Sequence, residues 1–128
     1  SAVTLGRLPT ELPLNVYCGD RFQHTLEFVD DLTLLPVDVS GFTYRAQIRS
    51  AQTDTAIMAT FSFDLSMAAF GLVTMTLLPA VTTALLLPAE NKSTKAATWD
   101  VELTEIADTT NVLTPFAGPV SIHLDRTR

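Results

Sequence analysis

Hydrophobic and polar residues alternate in several short segments of the chain, most clearly in residues 42–49. The apolar positions are Phe42, Tyr44, Ala46 and Ile48, and the polar positions between them are Thr43, Arg45, Gln47 and Arg49. A period of two is typical of a strand with one face in a core and the other in water. We therefore predict a half-buried strand here, with a polar face that can meet water or a partner.

The same alternation recurs along the rest of the sequence. It is present in residues 22–28, 57–63, 72–78, 99–104 and 120–124, with shorter candidate strands at 15–18 and 112–116. Pro79 suits the first position of a short helix that we predict to run to Leu86. Turn-forming residues interrupt the chain about every 10 residues, a spacing that favours an all-β fold. The sequence thus predicts an antiparallel β-sandwich of about seven strands with one short helix.

The N-terminal residues follow neither a helical nor a strand pattern. Pro9 and Pro13 fix their own backbone angles and favour extended neighbours. We therefore predict an extended arm over residues 1–14, followed by a β-sandwich domain over residues 15–128. Such an arm can fold back on its own domain or lie on a neighbouring subunit, and the sequence does not choose between them.

Six leucines are candidates for contact with a partner protein. Three are in the arm, and three are in a loop, residues 30–36, whose apolar content is unusual for a hairpin connection. The candidate interface residues are Leu5, Leu8, Leu12, Leu32, Leu34 and Leu35.

Composition also favours association with other chains. Of the 128 residues, 47% are hydrophobic and 17% charged, and the mean hydropathy is +0.27. Soluble domains usually contain about 25% charged residues, so we expect some apolar surface to meet another subunit and the protein to be a homo-oligomer. The net charge is −6, and the eight Lys and Arg residues form no basic cluster, which argues against nucleic acid as a partner.

Neither a disulfide within the chain nor a membrane anchor is expected. Cys18 is the sole cysteine, and we predict that it is a small buried side chain. No run of about 20 apolar residues is present, and the N-terminal residues lack the basic and apolar regions of a leader. We expect a soluble protein made in the cytoplasm and not bound to a membrane.

The chain shows little catalytic equipment. His24 lies on a predicted core face, where a hydrogen-bonded structural histidine is expected. His123 and Asp125 share a strand face, as two metal ligands can, but two donors are too few for a site. Asp100 and Glu102 are neighbours on one face, where carboxylates are usually solvated. We therefore predict no enzyme activity, no cofactor and no metal.

A carbohydrate-binding module is an alternative, since such sandwiches stack exposed aromatic rings on sugars. Seven of the aromatic residues fall on predicted core faces: Phe22, Phe28, Phe42, Tyr44, Phe61, Phe63 and Trp99. Tyr17, Phe70 and Phe116 remain as candidates for exposure.

Several segments together resemble a family of small domains in tail and baseplate proteins of tailed bacteriophages. They are Gly-Asp-x-Phe at 19–22 with Thr-Leu-Glu-Phe at 25–28, Val-Asp-Val-Ser-Gly-Phe-Thr-Tyr-Arg-Ala-Gln-Ile-Arg at 37–49, the strand and helix at 71–85, Trp-Asp-Val-Glu-Leu-Thr at 99–104, and Gly-x-Val-x-Ile at 118–122. The resemblance covers about residues 16–128. The proline-containing arm is additional to the family pattern, and residues 89–96 are longer and more polar than the glycine-containing turn expected there.

The family is similar to the immunoglobulin-like N-terminal domain of upper baseplate proteins, so the resemblance implies an immunoglobulin-like sandwich that serves as a non-enzymatic assembly module. The expected function is that of a phage virion structural protein, a tail or baseplate assembly or connector subunit assembled in the host cytoplasm. Its partners would be other virion proteins of the tail, baseplate or capsid. A capsid decoration protein and a carbohydrate-binding module for host-surface glycans remain alternatives.

Overall fold

A computed structural model describes residues 2–3, 9–50, 56–85 and 94–124 of the chain. These ranges contain ten strands, one short α-helix and one 3-10 helix. The strands are β1 (Ala2–Val3), β2 (Thr10–Glu11), β3 (Leu14–Tyr17), β4 (Phe22–Phe28), β5 (Phe42–Arg49), β6 (Ile57–Thr60), β7 (Ser62–Asp64), β8 (Leu72–Leu77), β9 (Thr94–Glu105) and β10 (Val112–His123); the α-helix is α1 (Pro79–Thr83), and the 3-10 helix spans Ala68–Phe70. Within these ranges, no helix has the length and apolar character needed to cross a membrane.

The strands form two sheets. The first sheet has the order β1-β4-β8-β7. The second has the order β2-β10-β9-β5-β6, and β3 also lies along β10 beyond β2. The two sheets face each other across a core in which the Phe28 ring from β4 packs edge to face on the Phe116 ring from β10, with ring centroids 5.8 Å apart. The predicted all-β sandwich with one short helix is confirmed, whereas its immunoglobulin-like character stays a prediction.

Three features of the strands differ from the prediction. The strand predicted over 57–63 is divided into β6 in the second sheet and β7 in the first. β1, β2 and β3 pair in parallel with their neighbours, although the long central strands are antiparallel. The predicted strands at 112–116 and 120–124 belong to one strand, β10, which continues through a register shift between Leu113 and Phe116. Pro115 lies within that irregularity, where a proline's missing N–H disturbs the ladder least.

The seven aromatic residues predicted on core faces all lie in or against the core, whereas Ile57, at the start of the strand predicted over 57–63, is exposed. Trp99, Phe61 and Phe28 are buried, and Cys18 is buried as expected. Phe61 lies where the chain passes from β6 in the second sheet to β7 in the first, and its ring contacts the rings of both Phe22 and Trp99. This row of aromatic rings connects the two layers.

The N-terminal segment from Pro9 onward lies along its own domain. Leu12 donates its N–H to the carbonyl of Ala117, and its carbonyl accepts a hydrogen bond of 2.8 Å from the Trp99 indole. A Cβ on Gly118 would come within 2.6 Å of the Leu12 carbonyl oxygen, so the segment can lie this close to β10 because residue 118 has no side chain. The division between an arm at 1–14 and a domain at 15–128 stays a prediction.

We expect Gly118→Ala to destabilise the protein by about 2 kcal/mol, because the added methyl group must displace the Leu12 backbone and weaken its bond to Trp99. Urea denaturation followed by Trp99 fluorescence measures this change. Gly41→Ala is the matched control, since nothing lies within 4 Å of a Cβ at Gly41. Equal effects of the two substitutions would contradict the assigned role of Gly118.

Candidate protein–protein interface

Three connections lie together at one end of the sandwich. They are residues 29–41 between β4 and β5, residues 64–71 before β8, and residues 105–112 between β9 and β10. Val39 donates its N–H to the Ala68 carbonyl, and Ile106 donates its N–H to the Gly41 carbonyl, so hydrogen bonds join the three connections. We call this region the acidic end, for the charges described below.

Exposed apolar side chains are concentrated at this end. Twelve large hydrophobic side chains are exposed among the described residues, and eight of them belong to the acidic end. These eight are Leu32, Leu34, Leu35, Leu65, Met67, Phe70, Ile106 and Val112. Leu32 is 92% exposed and Phe70 is 62% exposed. A group of this kind, rather than a scattered single residue, is a sign of an interaction surface.

The connection of residues 29–41, called the leucine loop below, is given a defined shape by hydrogen bonds to Asp30. Its Oδ1 accepts the N–H groups of Leu32 at 2.9 Å and Thr33 at 3.0 Å, and its carbonyl accepts the N–H of Leu34. Its own N–H donates to the carbonyl of Leu35. Such local side-chain-to-backbone bonds are favoured by Asp in turns. The exposed leucines are therefore presented by an ordered turn.

Leu34 adopts an unfavourable backbone angle for its residue type. Its φ is +57°, in the left-handed region that costs a residue with a Cβ about 1 kcal/mol or more. Glycine or asparagine would adopt this conformation more easily. A leucine that is both strained and 71% exposed contributes little to the fold of this chain. Its presence favours a role in contact with a partner.

Tyr44 connects the leucine loop to the core. Its ring is half-buried next to Phe63, and its hydroxyl donates a 2.6 Å hydrogen bond to the carbonyl of Val39. Burial raises the pKa of this hydroxyl far above its ordinary value, with a smaller contribution from the charge of Asp38. The hydroxyl therefore stays protonated and keeps donating to Val39 throughout the physiological range.

All charged side chains of the acidic end are negative. The three connections contain six carboxylates and no Lys, Arg or His: Asp30, Asp31, Asp38, Asp64, Glu105 and Asp108. Hydrogen bonds from Ser, Thr or backbone groups lower the pKa of four of these carboxyls, namely Asp30, Asp38, Asp64 and Asp108. These four remain ionised at mildly acidic pH, so the apolar surface keeps negatively charged neighbours.

The outer face of the second sheet carries ion pairs. Arg45 on β5 contacts Glu102 on β9 at 2.8 Å, and Arg49 contacts Asp100 at 3.6 Å. Exposed pairs of this kind contribute at most about 1 kcal/mol each to stability. The carboxylates of Asp100 and Glu102 are therefore paired with arginines across the sheet.

In the described part of the chain, no group of three or more His, Cys, Asp or Glu is placed to hold a metal ion. His24 is half-buried as predicted, but its buried Nε2 has no hydrogen-bond partner there. Desolvation lowers the pKa of this imidazole. His123 stacks on Tyr17 and its Nε2 lies 3.0 Å from Asn15 Oδ1. Asp125 lies outside the described residues.

The structure describes four of the six candidate leucines. Leu32, Leu34 and Leu35 are exposed together in one loop, and Leu12 is half-buried against the core. Leu5 and Leu8 lie outside the described residues. The role of all six in partner contact stays a prediction. Sequence reasoning missed Leu65 and Met67 and named Phe70 only as a candidate for exposure, although the apolar run between Asp64 and Gly71 was a usable signal for an interface.

The aromatic residues do not form a shared platform for a sugar. Phe116 is buried, so the prediction that it is a candidate for exposure is wrong. The correction has a physical reason, since β10 is a central strand whose Phe116 side chain points into the core. Phe70 is at the acidic end, whereas Tyr17 pairs with His123 at the far end of β10.

Comparisons with known proteins found similarity to solved structures but no matching protein-family model or curated protein. No protein-family model matches the sequence, and the search of curated proteins found no match. Among solved structures, the chain is similar to one titled "N-terminal domain of phage TP901-1 ORF48". That alignment covers 98% of this chain and 95% of the other, with 8% sequence identity and a TM-score of 0.44. At these values, function has to be inferred from the chain's own residues.

We expect Tyr44→Phe to destabilise the protein by about 1–2 kcal/mol, because the half-buried ring would lose its hydrogen bond to the Val39 carbonyl. Chemical denaturation measures the loss. Tyr17→Phe is the control, because it also removes a tyrosine hydroxyl, but from an exposed ring that lies away from Val39 and the leucine loop. A loss for Tyr17→Phe as large as that for Tyr44→Phe would contradict the role of Tyr44.

The stabilising effect of Asp30 should depend on pH. Its pKa in the folded protein is below the ordinary 3.8, so its contribution is fully present above that pH and is lost as the pH falls through the lower, folded value. Asp30→Ala should therefore lower the unfolding midpoint at pH 7 and have little effect in strong acid. The midpoint is measured against pH, with Glu27→Ala in β4 as a control for loss of an exposed carboxylate. A constant difference down to pH 2 would contradict the assignment.

Proposed function

We propose that this chain is a phage virion structural protein, a tail or baseplate assembly or connector subunit that acts through protein–protein contacts. The observation that carries the proposal is the acidic end, where an ordered turn exposes Leu32, Leu34 and Leu35 beside further apolar side chains. The sequence resemblance to small domains of phage tail and baseplate proteins supplies the biological setting. An immunoglobulin-like fold, location in the virion and association with sister copies are parts of this proposal.

The chemistry of the surface supports assembly better than catalysis. Leucine, methionine and phenylalanine side chains provide apolar area and no group that can donate a proton or attack a substrate. The carboxylates beside them hold turns together through bonds such as those from Asp38 to Ser40 and from Asp108 to Thr110. We therefore propose a binding role and no enzyme activity for this end of the molecule.

A strand edge offers a second means of contact. One edge of β4 pairs with β8. Within the described residues, the other edge pairs with β1 only at Glu27 and Phe28, so it has no strand partner over residues 22–26. An edge of this length can accept a strand from another protein. The apolar side chains are at the loops, however, so we assign the main contact to the acidic end.

The two alternatives differ in what they require. A capsid decoration protein would use the same kind of surface and would differ in its position in the particle. A glycan-binding module would need exposed rings that share one surface, and the separation of Tyr17 from Phe70 does not favour it. A glycan array probed with the purified chain distinguishes this alternative.

The test is incorporation into particles. We expect Leu32→Ser combined with Leu35→Ser to reduce incorporation of this protein into virions at least about tenfold, because two exposed anchors of the contact are removed. Virions produced with the variant as sole copy are purified, and the protein is quantified by mass spectrometry. Labelling in electron micrographs then shows whether it lies at the tail, the baseplate or the capsid.

A matched variant separates the contact from the fold. Gln23→Ser with Thr43→Ser changes two exposed side chains on the outer sheet faces and should leave incorporation unchanged. Both variants should unfold at the same urea concentration as the unmodified chain. Normal incorporation of the leucine variant would reject the acidic end as the assembly surface, and absence of the unmodified protein from virions would reject the proposed function.

A further inference from the structure

The end of the sandwich opposite the acidic end has a different charge. It comprises residues 17–21, 49–50, 56–57, 78–85, 94–95 and 123–124 and is called the basic end below. Hydrogen bonds join its parts across the two sheets, because Cys18 donates to the His123 carbonyl and Thr82 donates to the Asp20 carbonyl. These segments contain three basic side chains, Arg21, Arg49 and Lys95, and one carboxylate, that of Asp20.

Exposed apolar side chains are present at this end as well. The four of the twelve that do not belong to the acidic end are Tyr17, Ile57, Leu78 and Leu124. Every large hydrophobic side chain that is exposed among the described residues thus belongs to one end or the other. The outer faces of the sheets instead carry hydrogen-bonded threonines, such as Thr25 and Thr74, and the arginine–carboxylate pairs of β5 and β9.

The two ends are complementary in charge. The acidic end contains six carboxylates and no basic side chain, and the basic end has an excess of two positive charges. Arg49 of the basic end also contacts Asp100 on the outer sheet face, at 3.6 Å, and the Arg21 side chain is exposed. In the sequence, the segments 51–55, 86–93 and 125–128 together add no net charge, because they contain three acidic residues, Asp54, Glu90 and Asp125, and three basic residues, Lys92, Arg126 and Arg128. The contrast between the ends therefore comes from the described residues.

We propose that copies of this chain associate head to tail, with the acidic end of one copy on the basic end of the next. Apolar side chains on both surfaces supply the contact area, and opposite charges at its rim set the orientation. Contact between two acidic ends would bring twelve carboxylates together, which like-charge repulsion disfavours. A head-to-tail contact uses two different surfaces, so it extends into a ring or a filament rather than ending at a dimer.

This inference deepens the proposed function by identifying a sister copy as the partner of the acidic end. It is tested on the purified chain, whereas the proposed function is tested in virions, so the two can fail separately. A chain that is incorporated but does not self-associate would overturn the head-to-tail contact alone. A chain that self-associates but is absent from particles would overturn the virion role alone.

The experiment uses variants that block one end at a time. Leu32→Glu with Leu35→Glu blocks the acidic end, and Arg21→Gln with Leu78→Glu blocks the basic end. Both variants change the formal charge by the same amount. Gln23→Glu with Thr43→Glu makes the same change on the outer sheet faces and is the matched control. Circular dichroism and urea denaturation establish that all three remain folded.

Molar mass is measured by sedimentation equilibrium from about 10 µM to about 1 mM, a range that covers weak assembly contacts. We expect the unmodified chain and the control to form species larger than dimers, and each blocked variant to remain monomeric. An equimolar mixture of the blocked variants should form dimers and nothing larger, because one intact surface remains on each partner. High salt should weaken this association by screening the charges.

Three results would overturn the inference. The first is an unmodified chain that stays monomeric over the whole concentration range. The second is loss of association in the acidic-end variant but not in the basic-end variant, which would indicate contact between identical surfaces. The third is a mixture of blocked variants that forms no dimer.

Discussion

The side chain of Trp99 makes the contacts on which closure of the sandwich depends. Its ring packs edge to face on Phe61, with centroids 6.0 Å apart, at the point where the chain passes from one sheet to the other. Its indole N–H donates to the carbonyl of Leu12, which lies over Gly118 on the neighbouring strand. One residue therefore links the N-terminal segment, β10 and, through Phe61 and Phe22, the first sheet. An indole satisfied in this way can be buried without leaving its N–H unpaired.

Closure of the core determines where the remaining apolar residues can go. The inward faces of both sheets are filled, and the outward faces are covered by threonines, glutamines and ion pairs. The additional leucines, methionine and phenylalanine are therefore displaced to the connections at the ends of the strands. There, local bonds from Asp30 and Tyr44 hold the leucine loop in one conformation. A fixed apolar loop loses less conformational entropy on binding than a mobile one, which favours association.

The sequence predicts the long strands well because the alternation of apolar and polar residues is a local record of burial. It does not predict the parallel pairing of Thr10 with Phe116, since a contact between such distant positions leaves no nearby pattern. Pro119, in the gap between the two predicted strands, also conceals the continuity of β10, because a proline usually ends a strand. For the candidate interface, the leucines of one loop are visible in the sequence. The sequence does not show that these leucines lie near the connection that contains Phe70. It also does not show that carboxylates as distant in sequence as Asp30 and Asp108 lie at the same end, since both facts depend on how the strands pair.

The combination of apolar and acidic residues at one end has a physical logic. Exposed leucines alone would favour contact with any apolar surface, including the same end of another copy. Carboxylates among the leucines repel other negatively charged surfaces, including the same end of another copy. Hydrogen bonds keep the pKa of several of these carboxyls low, so this repulsion persists in mild acid. The same aspartates also shape the turns that expose the apolar side chains. The same aspartates therefore hold the loops in shape and repel other negatively charged surfaces, and removal of one aspartate affects both properties.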